Sequence, residues 1–325
     1  MNDNLRRSII DLHCDTVLFC FTDNTTLQDF NGHINLGKLK SGNSLAQCFA
    51  LFIPTNDAAD IHLHRRDNPW TLYQMLLKCY QDNLQTYSDV IRPALSASDV
   101  LENKQQGYLS SILTVEDCVE IEGILERFDT VYADGVRMMS LTWNYENCIG
   151  FPNSADPELH LKKGLKPFGF DALEKMNELG IIIDVSHLSE AGFYDVAAHS
   201  RKPFIASHSC CRALQDHPRN LTDDQLRVLA DHGGVVGINF YNNFLTNSGA
   251  PSSVDDIVRH MLHIQQKAGV DSLAFGSDFD GIDCELEFRD YTGMPEILAG
   301  LEKHFSDDEI EKICHGNFLR VFAAQ

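Results

Sequence analysis

The chain has 325 residues, 43% of them hydrophobic and 22% charged, so it can bury one large core. Its formal net charge of -21 argues against nucleic-acid and membrane partners, because such a surface repels phosphate groups. The sequence contains no low-complexity linker, no fixed repeat and no apolar stretch near the roughly 20 residues of a membrane span. We therefore expect a single domain over residues 1–325 and a cytoplasmic location.

Eight short runs rich in Ile, Val, Leu and Phe predict strands that are buried on both faces. In chain order these runs are 8–13, 46–53, 110–116, 136–143, 181–187, 203–208, 234–240 and 273–279. Helical spacing between them predicts helices at about 70–88, 118–131, 168–179, 189–199, 222–232, 253–268 and 307–323. This alternation favours an α/β fold of the (β/α)8 TIM-barrel type, with an open doubly wound sheet as the alternative.

Most of the predicted strands end on a polar residue, and barrels of this type place their active sites at the C-terminal strand ends. The first strand runs into His13 and Asp15, which strand alternation places on one face and which can both bind zinc. Two later strands end in Ser-His, at His187 and His208. On adjacent parallel strands, these two imidazoles would lie close enough to share an ion.

Two carboxylates end further strands. Glu116 follows a buried run, where an unpaired charge would be costly, so a metal is its simplest partner and its two oxygens could bridge two ions. Asp278 ends the last strand and suits a general acid–base role, because metal and carboxylate neighbours would tune its pKa. Asp280 competes for that role from the same side of the strand.

Four other histidines occur in pairs that could suggest a metal site. His62 and His64 lie in a polar segment, and His260 and His263 share a helix face beside an arginine. We expect neither pair to bind a functional metal, and we interpret His260 and His263 as solvated surface.

The motifs in combination resemble the membrane (renal) dipeptidase family of zinc peptidases over essentially the whole chain. The matching stretches are Asp-Leu-His-Cys-Asp-Thr at 11–16, Val-Glu at 115–116, Asp-Val-Ser-His at 184–187, Ser-His-Ser at 207–209, Arg-Asn-Leu-Thr-Asp-Asp at 219–224, Gly-Val-Val-Gly-Ile-Asn-Phe-Tyr-Asn-Asn at 234–243, Gly-Ser-Asp-Phe-Asp-Gly at 276–281 and Gly-Asn-Phe-Leu-Arg-Val-Phe at 316–322. The resemblance implies a (β/α)8 barrel with two zinc ions, for which Mn²⁺ or Co²⁺ could substitute. It assigns His13 and Asp15 to one ion, His187 and His208 to the other, and Glu116 to a bridging position.

The same resemblance implies an activity. Members hydrolyse free dipeptides, including L-Xaa-D-Xaa, with a hydroxide held between the zinc ions as the nucleophile. By this likeness Asp278 moves the proton, while Arg219 and Tyr241 hold the carboxylate of the substrate. Members are commonly homodimers, so we expect a homodimer here as well.

One departure concerns the segment at residues 141–144. Many relatives have a histidine where this chain has Trp143, followed by Asn144, and that histidine contacts the reacting carbonyl in relatives. Trp143 can donate an indole N–H but cannot become charged, so Asn144 or Tyr145 could take over part of the role. Two alternatives stay open: another amidohydrolase-type barrel, such as a lactonase or deacylase, and a non-catalytic metal-binding homologue.

Overall fold

A computed structural model describes residues 5–63, 66–246 and 248–325. Its strands form one sheet in which every neighbouring pair runs parallel. The strands are β1 (Ile9–Asp11), β2 (Ser44–Phe52), β3 (Ile91–Pro93), β4 (Leu109–Glu116), β5 (Val136–Ser140), β6 (Ile182–Asp184), β7 (Ala206–Ser209), β8 (Val236–Ile238) and β9 (Leu273–Phe275).

The sheet closes into a barrel. Its strand order is β6-β5-β4-β2-β1-β9-β8-β7, and its two ends meet at a parallel bridge between Asp184 and Ile205. The amide of Val185 donates to the carbonyl of Ile205 at 2.8 Å across this seam. Strand β3 pairs only with the start of β4, so it lies outside the eight-stranded ring. The predicted TIM barrel is therefore confirmed, and each of the eight predicted runs overlaps one strand of the ring.

Helices connect the strands. They are α1 (Thr16–Thr22), α2 (Leu36–Ser41), α3 (Asn56–His62), α4 (Pro69–Thr86), α5 (Ala97–Gln105), α6 (Arg127–Ala133), α7 (Pro157–His160), α8 (Pro167–Leu179), α9 (Glu190–His199), α10 (Asp223–Asp231), α11 (Asn242–Leu245), α12 (Val254–Ala268), α13 (Met294–Leu301), α14 (Asp307–Glu311) and α15 (Asn317–Ala323). Within the described part of the chain, no helix has the length and apolar character needed to cross a membrane.

Two of the predicted helices are wrong in detail. The helix expected over 118–131 is only a 3-10 turn at Cys118–Ile121, because Glu122 and Gly123 adopt left-handed backbone conformations with φ of 51° and 75°. The helix resumes as α6. The helix expected over 307–323 is interrupted by a π-helical turn at Lys312–Gly316 between α14 and α15. Short helices such as α1 and α3 lack enough turns to show a helical period in the sequence.

The interpretation of His260 as solvated surface is also wrong. This residue on α12 is completely buried, where its Nδ1 accepts from the backbone amide of Cys211 at 3.1 Å. Its Nε2 donates to the carbonyl of Leu245 at 2.9 Å. A core histidine with both nitrogens bonded to backbone serves packing between α12 and the loops above the barrel. His263 does lie nearer the surface, where it pairs with Asp223 at 2.7 Å.

The apolar runs supply the core, and their ends supply the site. One buried cluster joins strand residues such as Ile10, Ile112 and Ile182 to Phe318 and Phe322 of α15. Burial of these side chains contributes most of the favourable free energy of folding. The polar residues that follow the strands remain together at the C-terminal end of the barrel, where they form the candidate active site.

Candidate metal centre and active site

The five predicted metal ligands converge at the C-terminal ends of the strands. Glu116 is the last residue of β4 and His208 lies within β7, whereas His13, Asp15 and His187 follow β1 and β6 directly. All five are nearly inaccessible, with at most 8% of any residue exposed. Two carboxylates buried at this depth need cationic or strong hydrogen-bonding partners.

Glu116 lies between two sets of imidazoles. Its Oε2 is 3.6 Å from Nε2 of His13, while its Oε1 is 3.1 Å from Nε2 of His187 and 3.4 Å from Nε2 of His208. The two oxygens of one carboxylate therefore face different ligand sets. This is the arrangement that a carboxylate bridging two ions requires.

The ligand atoms are also close enough to one another to hold cations. His13, Glu116 and His208 form one group, and His13, Asp15 and Asp278 form another, with the ligand atoms of each group within 4.8 Å of one another. His187 joins the first group through its Nε2, which is 2.9 Å from Nε2 of His208. His13 therefore lies between the two groups.

The hydrogen bond of His187 selects its tautomer. Its Nδ1 is 3.0 Å from Oδ1 of Asn144, an amide oxygen that can only accept. The proton of His187 is therefore on Nδ1, and the lone pair of Nε2 points toward Glu116. Asn144 thus orients a candidate ligand, as outer partners of metal-bound histidines commonly do.

A longer chain of hydrogen bonds selects the tautomer of His208. The hydroxyl of Ser207 donates to Oδ2 of Asp184, so its oxygen accepts from Nδ1 of His208 at 2.7 Å. Asp184 also accepts from the hydroxyl of Ser140 and from the amides of Ser186 and Ser207, the latter two at 2.9 and 2.8 Å. With its proton on Nδ1, His208 presents an Nε2 lone pair to the centre.

Titration in the centre follows from burial and from neighbouring charge. Burial lowers the pKa of His187 and of His208 well below the usual value, which keeps both imidazoles neutral. Burial also opposes charge on His13, but the carboxylates of Glu116 and Asp15 outweigh it and raise the pKa of His13. Burial raises the pKa of Glu116 to about 8. The two carboxylates thus favour a cation beside Nε2 of His13. In the metal-free protein this cation is the proton on His13, and a bound metal would replace it.

The residues present fit a metal. Nε2 of His13 and Oδ1 of Asp15 are buried without a hydrogen-bond partner. Such atoms are costly unless something else satisfies them. The Nε2 lone pairs of His187 and His208 face each other at 2.9 Å, and two such lone pairs repel unless they share a cation. A donor set of three imidazoles and carboxylates suits zinc and its neighbours in the first transition series.

Asp278 lies beside this cluster. Its Oδ1 is 3.8 Å from Nε2 of His13, and its Oδ2 accepts from Nδ2 of Asn239 at 2.8 Å. Burial raises the pKa of Asp278 to about 6. Asp280, the competing residue, instead accepts from the hydroxyl of Thr16 at 2.6 Å and from the amide of His33. Asp278 is therefore the carboxylate that faces the centre, whereas Asp280 anchors α1.

Two residues of the site have an uncommon backbone conformation. His187 has φ of 67° and Asp278 has φ of 62°, in the left-handed region that side chains other than glycine rarely adopt. In both cases the residue comes three positions after the end of a strand, β6 or β9. The turn directs the side chain back over the barrel mouth, which is how each reaches the cluster.

A cavity of about 350 Å³ opens onto the cluster, a volume in the range of small-ligand sites. Its lining combines carboxylates with aromatic and aliphatic side chains. The lining residues are Asp15, Leu18, Phe19, Phe52, Ile61, His62, Glu116, Trp143, Asn144, His187, Tyr241, Phe244, Asp278, Asp280, Gly281, Ile282 and Asp283.

Comparison with known proteins identifies the family to which this site belongs. Residues 5–325 match the sequence model of the membrane dipeptidase family, peptidase family M19. The chain belongs to the membrane dipeptidase family. The family makes this chain a metallopeptidase of the dipeptidase type, which implies a bound metal and a small peptide substrate.

Individual relatives agree with this assignment. A protein of Klebsiella pneumoniae, known as an uncharacterized protein in the pqqA 5′ region, is 37% identical over 241 residues, which is 71% of this chain and 88% of the relative. Dipeptidase tcpJ of Claviceps purpurea is 30% identical over 302 residues, 90% of this chain and 69% of the relative. A crystal structure of a metallo peptidase from Rhodobacter sphaeroides, liganded with a phosphinate mimic of the dipeptide L-Ala-D-Ala, is 26% identical. It superposes with a TM-score of 0.89 and covers 98% of this chain and 99% of its own.

In this membrane dipeptidase family member, the predicted substrate contacts do not all reach the cavity. Trp143, Asn144 and Tyr241 line it, but the backbone amide of Tyr241 is engaged by Oδ1 of Asn239 at 2.7 Å. Arg219 lies behind the lining, 5% exposed, where it donates to the carbonyl of His208 at 3.1 Å. Its Nε is buried without a hydrogen-bond partner, so one donor of the guanidinium remains unused.

Other residues of the site were not predicted. His62 was placed in a polar segment without a role in the site, yet α3 brings it to the cavity, with its ring 5.9 Å from that of Phe52. His64, its predicted companion, is outside the described residues. Asn239 and Asp184 lie in stretches that match the family, but the sequence did not show that Asn239 would hold Asp278 or that Asp184 would act through Ser207. Their position was the signal that could have indicated a role in the site, because Asp184 ends β6 and Asn239 directly follows β8.

Proposed function

We propose that this protein is a zinc-dependent dipeptidase that holds two zinc ions per chain and hydrolyses free dipeptides, L-Xaa-D-Xaa among them. The observation that carries the proposal is Glu116, whose two oxygens face His13 on one side and His187 with His208 on the other. One carboxylate between two imidazole sets favours a pair of ions over a single ion. The dipeptide mimic bound by the Rhodobacter sphaeroides relative supports L-Xaa-D-Xaa as a substrate class.

The metal ligands follow the same geometry. His13 and Asp15 would hold one ion, His187 and His208 the other, and Glu116 would bridge them. Nitrogen and oxygen ligands of this kind favour zinc, while Mn²⁺ and Co²⁺ accept the same donors. When bound, such a pair of ions acidifies a water and polarises the carbonyl of the substrate.

Asp278 would handle the proton. Asn239 holds its Oδ2, which leaves Oδ1 free to face the cluster beside His13. From this position the carboxylate can accept a proton from the attacking water and return it to the leaving amine. Because the side chain is held at one oxygen only, it can exchange the proton without losing its orientation.

Arg219 and Tyr241 would recognise the free carboxylate of the dipeptide. The unpartnered Nε of Arg219 can donate to it, and a charge-assisted bond in this low-dielectric setting is strong. Tyr241 would contribute its hydroxyl, which accepts from Asn243 at 2.9 Å and can donate its own proton. Trp143 lines the same cavity with an indole N–H, and Asn144 contributes by orienting His187.

Two measurements test the proposal. Metal analysis of the purified protein should find two zinc ions per chain, and a value well under two would contradict the bridged site. Free L-Xaa-D-Xaa dipeptides should be hydrolysed, whereas the same dipeptides with an amidated C-terminus should be poor substrates. Equal rates on both would remove Arg219 and Tyr241 from carboxylate recognition. The homodimer, the cytoplasmic location and the single-domain organisation stay predictions.

A further inference from the structure

One side of the catalytic cavity is apolar. Phe52 at the end of β2, Ile61 on α3 and Trp143 after β5 all line it, and we call these three residues the apolar wall; the imidazole of His62 on α3 adjoins them. The ring of Phe52 is 5.9 Å from that of His62 and 4.9 Å from that of Trp143. Phe52 therefore packs between Trp143 and His62 along this side of the cavity.

The apolar wall reaches from the mouth of the cavity to the metal ligands. Trp143 lies 6.1 Å from the ring of His187, so the inner end of the wall touches the catalytic cluster. At the outer end Ile61 is 68% exposed, the largest exposed fraction among the large hydrophobic residues that the structure describes. An aliphatic side chain left in water at the rim of a substrate cavity can gain burial when a substrate covers it.

The opposite side of the cavity is acidic. Asp278, Asp280 and Asp283 follow β9 on this side, whereas the other two lining carboxylates, Asp15 after β1 and Glu116 at the end of β4, lie nearer the wall. No lysine or arginine is present among the lining residues that the structure describes. A bound metal would neutralise the inner carboxylates but not Asp283 at the rim. An acidic side chain on the substrate would therefore be repelled, whereas an apolar side chain would find a matching surface.

The barrel order tells which residue of the substrate meets the wall. The wall comes from the segments after β2 and β5, which lie on the same side of the ring with only β4 between them. Arg219 and Tyr241 follow β7 and β8, on the other side of the metal ligands. If the carboxylate of a dipeptide points to Arg219 and its peptide bond lies at the centre, its N-terminal residue extends toward the wall.

We propose that the apolar wall is the subsite for the side chain of the N-terminal residue, and that it selects large, uncharged, apolar side chains. This inference rests on the proposed dipeptidase activity and on carboxylate recognition at Arg219. It names the substrate class within that activity, namely dipeptides with residues such as leucine or phenylalanine at the N-terminus.

A dipeptide series with a constant C-terminal residue tests the subsite. The purified metal-loaded enzyme is assayed with L-Leu, L-Ala and L-Asp before D-Ala, and again before L-Ala so that stereochemistry at the C-terminus does not decide the outcome. Leucine and aspartate have similar size and differ in charge, whereas leucine and alanine differ in size. We expect kcat/KM for the leucine peptides to exceed that for the alanine and aspartate peptides by about tenfold or more.

Two variants connect the preference to the wall. Ile61→Ala removes exposed apolar surface and should reduce the ratio of leucine to alanine kcat/KM by about threefold to tenfold. Trp143→Ala should reduce the same ratio by more, because it removes the centre of the wall. Ile124→Ala is the matched control, since Ile124 is also exposed, at 42%, but does not line the cavity. It should keep the preference of the unmodified enzyme.

The outcomes are distinguishable. Equal kcat/KM for leucine and alanine peptides, or a preference that survives both wall variants, would overturn the subsite while leaving the dipeptidase intact. If Ile61→Ala and Trp143→Ala lower kcat/KM equally for the leucine and alanine peptides, the wall does not contact the N-terminal side chain and the subsite is overturned. If no dipeptide of either series is hydrolysed, the proposed function itself fails and the subsite with it.

Discussion

The hydrogen bonds behind His208 make Asp184→Asn an informative substitution. The asparagine keeps its size and can still accept from the amides of Ser186 and Ser207, but it presents an NH₂ group to the hydroxyls of Ser140 and Ser207. The hydroxyl of Ser207 must then accept from the amide and turn its own proton toward Nδ1 of His208. The proton of His208 moves to Nε2, where it blocks the lone pair that faces the metal centre.

The size of the effect follows from the number of bonds. Loss of an outer hydrogen bond to a metal-bound histidine typically weakens metal binding by about 10- to 100-fold, and we expect this range for zinc. Hydrogen bonds to a charged group contribute about 1 kcal/mol more than neutral ones. Asp184 accepts four hydrogen bonds. If each loses this difference, Asp184→Asn should lower the free energy of unfolding by at most about 4 kcal/mol. The smaller cost of burying a neutral amide offsets part of this loss.

Chelator competition and unfolding separate the two effects. Zinc affinity is measured against a chromophoric chelator, and the metal-free protein is unfolded in denaturant. Ser207→Ala should weaken zinc binding similarly, because it removes the acceptor of His208 Nδ1. Ser272→Ala is the control, since this buried hydroxyl donates to the carbonyl of Ala268 away from the site. If Asp184→Asn binds zinc as tightly as the unmodified protein, the proposed direction of the proton chain is refuted.

Further predictions concern proton transfer, substrate capture and acid stability. Asp278→Asn should lower kcat by about 10²- to 10⁴-fold in steady-state assays with zinc content unchanged, and an equal loss of zinc would instead make Asp278 a ligand. Arg219→Met should raise KM for free dipeptides but not for amidated ones, and parallel changes would contradict carboxylate binding. Burial lowers the pKa of His260 from 6.5 to about 4, so between these values only the unfolded chain binds the proton. The free energy of unfolding should therefore fall as the pH falls from 6.5 to 4. Unfolding curves measured across this pH range should show a smaller fall for His260→Gln than for the unmodified protein. An equal fall in both would argue against the buried neutral imidazole.

The sequence predicts the barrel well because parallel strands in a TIM barrel are buried on both faces. Runs such as 46–53 and 110–116 are therefore rich in apolar residues, and each overlaps an observed strand. The same reasoning led to the candidate site, since a buried carboxylate such as Glu116 at the end of an apolar run is costly without a partner. The physical constraint is local, so the pattern can be recognised without knowledge of the fold.

What could not be predicted depends on contacts between distant segments. The sequence places Asn144 and Asn239 just after strands, but their hydrogen bonds to His187 and Asp278 arise only because the loops after β5 and β8 bring these residues together. His260 follows Arg259 in the sequence, yet α12 turns it into the core. A helical period predicts which residues share a face but not which face is covered when a helix carries both polar and apolar residues.

The left-handed backbone at His187 and Asp278 has a consequence for the evolution and engineering of this enzyme. A residue with a side chain in this conformation costs roughly 1–2 kcal/mol relative to the right-handed one, and glycine would relieve that cost. Glycine at either position would release this backbone cost, but it would also remove the side chain that reaches the cluster and leave Asn144 or Asn239 without its partner. Screens for a more stable variant should therefore leave both positions unchanged and seek gains on the outer helices.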